Sequence, residues 1–227
     1  MKLISLILYI PTVGMYKSVS LMAIKKSKQE RTGEIIQAAI DEFLEKGYDG
    51  TSMESIARKA GVSKGGLYHH FSSKDEILLR ANQKLNEPVY SIMQEAAQSP
   101  SAGKALSSYI RNYLRYWLDH KREMVFYMLS YVKLLDNPSL GEMYQSYTQS
   151  TIAFFQDLYQ RGIDSGEFVP HSAYDSAIAF MAAVDGIVMY LMIDTNLELE
   201  KIVSILQKKF IHGMQANQDI SHDPEEK

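Results

Sequence analysis

The chain is 227 residues long, enough for a small domain beside a larger one or for one long helical domain. Its 46% apolar and 22% charged residues are ordinary globular proportions that exclude global disorder, and the absence of cysteine excludes disulfide frameworks and thiolate metal sites and fits a reducing compartment. Net charge is only −3, with ten Lys/Arg against nine Asp/Glu in residues 25–80 and twelve against eighteen in residues 81–227, so any nucleic-acid binding has to come from a few placed cations and backbone amides.

Residues 1–24 are apolar but broken by Pro11, Gly14 and Lys17. They are too short for a membrane span and lack the small-residue cleavage site of an export signal, so they read as a tail or an over-extended translation start, with Met15 or Met22 as the first residue. From Ser27 to Lys46 the apolar positions Ile35, Ile36, Ala39, Ile40, Phe43 and Leu44 recur at helical spacing. Gly47 ends this helix, and Asp49-Gly50 is a turn. Thr51 or Ser52 can cap a second helix, Thr51 with Glu54 forming a capping box, and Ile56, Ala57 and Ala60 give it an apolar side. Gly61 stops it, Val62 plugs the joint, and Ser63 caps a third helix bearing Leu67, Tyr68 and Phe71. Two short helices about a tight turn make a helix-turn-helix pattern, whose second helix enters the DNA major groove while capping hydroxyls and lysines hold phosphates.

A second capping box, Ser73 with Glu76, opens a helix with Ile77, Leu78, Ala81 and Leu85 inside, and Pro88 is expected to kink or interrupt it. Further helices are expected at roughly 104–119, 122–135, 139–163, 172–194 and 198–215, separated by Asp136-Asn-Pro138, Gly162 to Gly166, Pro170 and Asp194-Thr-Asn196. The predicted class is all-α: a three-helix helix-turn-helix domain at 25–74, a larger helical domain for ligand binding and dimerisation at 75–216, and flanking segments at 1–24 and 217–227. The flanks are an extension and a polar tail.

The runs from Phe43 to Ala57 and from Ala60 to Leu78 carry glycines, aromatics and hydroxyls at offsets that resemble the TetR family of one-component transcriptional regulators. That resemblance implies a cytoplasmic, homodimeric, usually repressing regulator of double-stranded DNA, released when a small molecule binds its helical domain. The capping hydroxyls of Thr51, Ser52 and Ser63 would face phosphate. Lys64, Gly65 and Gly66 would start the recognition helix, Tyr68, His69 and His70 would line its DNA side, with packing or capping as the other reading of His70, and Lys74 would take a phosphate. Met53 stands where some family members offer a hydroxyl, and Gly66 offers no side chain to a base, which shifts readout to Lys64, the histidines and DNA shape.

Aromatics crowd residues 109–131 and 144–159, with methionines 124, 128 and 143 among them. Most belong to a core, but a bundle pocket for an apolar or aromatic ligand is expected there, with Tyr113, Trp117, Tyr127 and Phe154 as its contacts. Asp185 interrupts a run that is apolar nearly all round; it reads as structural, with attraction of a cationic ligand as the alternative. The surplus apolar surface of that helix and the last one predicts a four-helix dimer interface and hence a palindromic operator. No nucleophile elbow, phosphate-cradling glycine loop or metal-binding histidine spacing is present, and adjacent His69 and His70 point about 100° apart on a helix and cannot readily share an ion. The sequence therefore predicts no enzyme, catalytic residue, cofactor, metal or membrane partner. The competing readings are an effector-independent regulator or activator and, further off, an enzyme acting on a hydrophobic substrate.

Overall fold

Ser27 opens the first helix with a complete capping box: its Oγ accepts the Glu30 N–H at 3.1 Å, and the Glu30 carboxylate accepts the Ser27 N–H at 2.7 Å. The computed structural model describes residues 27–135 and 138–215, so the expected extension at 1–24 and tail at 217–227 lie outside the described residues. Helix α1 (Lys28–Gly50) breaks internally at Gly47, where φ is 71° and ψ 168°, as the sequence anticipates. Helices α2 (Met53–Lys59), α3 (Lys64–His70) and α4 (Lys74–Ala97) follow. Then come α5 (Ala102–Asp119), α6 (Lys121–Leu135), α7 (Pro138–Asp164), α8 (Ala173–Ile193), α9 (Leu199–Phe210) and a 3-10 turn at His212–Met214.

Two apolar cores result. The amino-terminal one gathers Ile35, Ile36, Ala39, Ile40 and Phe43 of α1, Ile56 and Ala57 of α2, Leu67 of α3, and Ile77, Leu78, Ala81 and Leu85 of α4. The larger one begins at Val89, Met93 and Ala96 on the same α4 and continues through α5 and α7 to α9. The cores therefore part inside α4, between Leu85 and Val89, because one helix spans both. Pro88 does not interrupt it. The ring and the carbonyl of Lys84, which loses its helical donor, lie on the exposed side where water can serve them, while buried Leu85 and Val89 hold the helix on either side.

Helix α5 is the hub of the larger body, packing against α4, α6, α7, α8 and α9. Its N-terminus is closed by a distant carboxylate: Glu167 accepts from Ser101 Oγ at 2.7 Å, Ala102 N–H at 2.8 Å and Gly103 N–H at 2.9 Å. Nearby, Gly162 is required by close approach, since a methyl group there would run into the buried Phe168 ring and the Ala102 methyl. Gly162→Ala is expected to destabilise the fold by about 1–3 kcal/mol through overpacking, read as a lower urea midpoint; an unchanged midpoint would show that Phe168 can move aside freely.

Helix α8 is long and apolar enough to cross a membrane by length and composition, with a mean hydropathy of 2.0. One side, including Ala177, Phe180, Val184, Val188 and Leu191, is buried in the larger core. Tyr174, Ile178, Tyr190 and Ile193 stay exposed, as does Ile205 on α9.

Candidate nucleic-acid interface and internal cavity

The α2–α3 joint is set by backbone chemistry. Gly61 takes φ 65°, a left-handed conformation that a Cβ disfavours, and lets the Val62 N–H reach back to the Ala57 carbonyl at 2.9 Å. Ser52 caps α2, and its box partner is Ser55, not the expected Thr51 and Glu54 pair. Ser63 caps α3 through the Gly66 N–H at 3.0 Å. At the start of α4, Ser73 accepts the Glu76 N–H, but the Glu76 carboxylate turns to the Ser72 N–H and hydroxyl, so the second expected box is only half formed.

Leu67, fully buried, and Phe71 pin α3 to the amino-terminal core. Lys64, Gly65, Tyr68 and His69 face outward, as do the caps Ser52 and Ser63. Lys64 is ion-paired with Glu54, and this hydrogen-bonded carboxylate raises its ammonium above the usual lysine value. Both partners are exposed, so the pair is weak and a phosphate can replace Glu54 at little cost. A Cβ on Gly66 would press against Ser63 Oγ at 3.1 Å, so this glycine has a packing reason that spacing did not reveal; Gly65 has open space.

Three residues expected at DNA are committed elsewhere. Thr51 is buried, and its hydroxyl donates to the Glu42 and Gly47 carbonyls at 3.0 and 2.8 Å, closing the end of α1. Lys74 donates to the Tyr48 and Thr51 carbonyls at 2.6 and 2.8 Å and lies 4.0 Å over the Tyr48 ring. Burial pushes its ammonium below the ordinary value. It is a clamp between α4 and the α1 terminus, where carbonyls of the last turn keep accepting capacity that a nearby cation can use. His70 pairs through Nδ1 with Thr32 Oγ1 at 2.9 Å, tying α3 to α1. Desolvation first, and then His69, Lys28 and Arg31, lower its pKa, so its imidazole is neutral near pH 7 and offers phosphate no charge.

The larger body holds a cavity of about 370 Å³ between α4, α5, α6, α7 and α8. Tyr113, Trp117 and Tyr127 line it, as expected. Phe154 does not; Phe155 does, because neighbours on a helix point about 100° apart, and Phe154 instead packs edge-on against Phe155 at 5.1 Å. The rings of Tyr113, Trp117, Tyr127 and Tyr131 follow one another at 6.3, 5.6 and 5.0 Å. Sequence reasoning missed Asn86, Thr148, Thr151, Met181 and Met189 in this wall; nothing in their local spacing marks them. Asp185 also faces the cavity, accepting the Tyr113 hydroxyl at 2.7 Å. It stays accessible to solvent there although protein surrounds it, and this desolvation raises its carboxyl above the usual range.

Helix α6 serves both bodies. Met124, Tyr127, Met128 and Tyr131 face the cavity, while Phe126 is buried in the amino-terminal core, stacked 6.0 Å from Phe43. Arg122–Asp41 at 2.6 Å, Lys133–Asp49 at 2.8 Å and the buried Ser130–Asn82 bond at 2.8 Å add polar ties from α6 to α1 and α4.

Comparison with known proteins agrees with this arrangement. Residues 35–81 match the family model for bacterial regulatory proteins of the tetR family. The uncharacterized HTH-type transcriptional regulator YfiR of Bacillus subtilis strain 168 is 28% identical over 147 residues, covering 64% of this chain and 72% of its own length. IcaR of Staphylococcus aureus strain Newman, the HTH-type negative transcriptional regulator of the biofilm operon icaADBC, is 51% identical over 43 residues, 19% of this chain and 23% of its own. A TetR transcription regulator from Haloarcula marismortui superposes with a TM-score of 0.71 at 18% identity, covering 82% of this chain and 99% of that one, and so shares the fold.

Proposed function

We propose that the chain, whose residues 35–81 match the family model for bacterial regulatory proteins of the tetR family, is a cytoplasmic DNA-binding regulator of that family, a homodimer on a palindromic operator, released by a small, largely apolar or aromatic effector. The observation that carries the DNA reading is α3: a helix anchored by Leu67 and Phe71 whose other side offers Lys64, Gly65, Tyr68 and His69 to solvent. With Lys74, Thr51 and His70 holding the module together, its grip rests on Lys64, Tyr68, His69 and the caps Ser52 and Ser63. Repression fits the negative regulator among its relatives.

The effector reading rests on the cavity and on α6. A ligand wedged against Tyr127 and Tyr131 pushes on the helix that inserts Phe126 into the DNA-binding module, so occupancy and module orientation are coupled. The exposed apolar side of α8, with Ile205 of α9, is the surface a second copy covers.

The test begins with the DNA flanking the coding region, where a protected inverted repeat is expected in a footprint. On that operator, Lys64→Ala is expected to reduce affinity and to flatten the dependence of log K on log salt by about one unit of slope, with folding unchanged. An unaltered slope would remove Lys64 from the phosphate contacts.

A further inference from the structure

The cavity has one ionisable carboxylate and no basic group. Its described lining contains no lysine, arginine or histidine, and Asp185 is its one acidic residue. Burial raises the pKa of the surrounding tyrosines, Tyr109, Tyr113, Tyr127, Tyr131 and Tyr147, so their hydroxyls are neutral at physiological pH. The one hydrogen bond Asp185 receives comes from such a neutral hydroxyl, that of Tyr113. Protein surrounds this carboxylate on the cavity side although solvent still reaches it, and a neutral donor leaves its charge uncompensated and open to a cationic partner.

The ring ladder supplies the second half of the site. From Tyr113, whose hydroxyl touches Asp185, the rings of Trp117, Tyr127 and Tyr131 continue along the wall, with the Tyr127 and Tyr131 hydroxyls 3.1 Å apart. Rings of this kind attract a cation to their faces by their quadrupoles, most strongly where water is excluded. A third observation points to a ligand independently: Trp117 is 1% exposed, lines the cavity, and its Nε1–H has no partner among the described residues. A buried donor left open in a cavity wall marks a place for an acceptor atom.

We propose that the effector is an organic cation with an apolar or aromatic body, its positive centre held between the Asp185 carboxylate and the ring faces of Tyr113, Trp117, Tyr127 and Tyr131. This rests on the reading of the cavity as the effector site and narrows its ligand class. An anionic ligand, such as a free fatty acid, is disfavoured in the same place because its head would meet Asp185 without a cation to separate the two charges. The raised carboxyl of Asp185 agrees, since an arriving cation supplies the compensation that burial withholds.

The chain contains a single tryptophan, so Trp117 fluorescence reports on this cavity directly. The probes are benzyltrimethylammonium and its uncharged carbon isostere neopentylbenzene, which match in shape and differ in charge, with 4-phenylbutanoate as the anion. The full chain is expected to bind the cation at least about tenfold more tightly than the isostere and the anion least, a preference of the size a partly desolvated ion pair with ring contacts gives. Asp185→Asn keeps an acceptor for the Tyr113 hydroxyl and is expected to cut the preference severalfold, leaving only the part the ring faces supply, with isostere affinity as the internal reference. Tyr113→Phe keeps the carboxylate and is expected to retain the preference. If the isostere binds as well as the cation, or Asp185→Asn leaves the ratio intact, the cation assignment is overturned while the cavity remains a ligand site. If no probe perturbs Trp117, the cation assignment is overturned and the effector reading of the cavity loses its support.

Discussion

Phe126→Ala is expected to destabilise the protein by about 3–5 kcal/mol, the range for removing a buried aromatic ring and leaving a void. Phe126 is 2% exposed and packs with α1 and α4 side chains in the amino-terminal core although it belongs to α6. The solvent-exposed ion pairs Arg122–Asp41 and Lys133–Asp49 flanking it contribute little, so the ring and the buried Ser130–Asn82 bond carry most of the attachment. Urea unfolding would give the loss as a lower midpoint, and Phe126→Leu should recover part of it by refilling the space. The functional consequence is larger than the stability loss suggests. At temperatures where the variant is still folded, operator binding should respond less to a cavity ligand, because on the proposed reading α6 carries the signal and no longer grips the module. An unchanged midpoint would mean that the two bodies are held together by other contacts, and an unchanged ligand response would take α6 out of the signal.

The second large effect concerns assembly. Tyr190 and Ile193 are 64% and 75% exposed on a helix with hardly a polar residue, and Ile205 on α9 is 46% exposed. Introducing charge here, as Tyr190→Glu with Ile193→Glu, should convert a dimer into single chains by sedimentation velocity, since burying an unpaired carboxylate at an apolar interface is strongly unfavourable. Operator affinity should then fall by about 100-fold or more, because two linked modules bind with an effective concentration that separate ones lack. Single chains in the unsubstituted protein, or an intact dimer in the variant, would place the interface elsewhere.

Much of the site was legible because its causes are local. The α2–α3 turn follows from Gly61, two serine caps and apolar residues at helical spacing, all within twenty residues, and the same periodicity located the later helices to within a few positions. The cavity wall was legible in part: Tyr113 and Trp117, four residues apart on α5, share one side of that helix and line the cavity with Tyr127 of α6, whereas of the adjacent rings Phe154 and Phe155 only Phe155 lines it, a choice that periodicity alone did not make.

Lys74, Thr51 and His70 show the limit. Each is polar, near a helix end and compatible with phosphate, yet each is claimed by a group from a different helix: the Tyr48 and Thr51 carbonyls, the Glu42 carbonyl and the Thr32 hydroxyl. Those partners lie nine to thirty-eight residues away in sequence for the helix-to-helix contacts, so no local pattern announces them. That α4 continues through Pro88 was hidden for a related reason, since the cost of the proline depends on whether water reaches the carbonyl it frees.

By itself the sequence determined the helices, their breaks and the DNA-binding turn, because backbone conformation, capping and amphipathic spacing act over a few residues. The tertiary structure decided which polar groups remain exposed on the helix-turn-helix, that Phe126 belongs to the other body's core, and that Asp185 faces a ring-lined cavity whose described lining holds no cation. Those outcomes depend on which surfaces meet across long stretches of chain, and burial, which sets the strength of each charge and hydrogen bond, exists only once they have met.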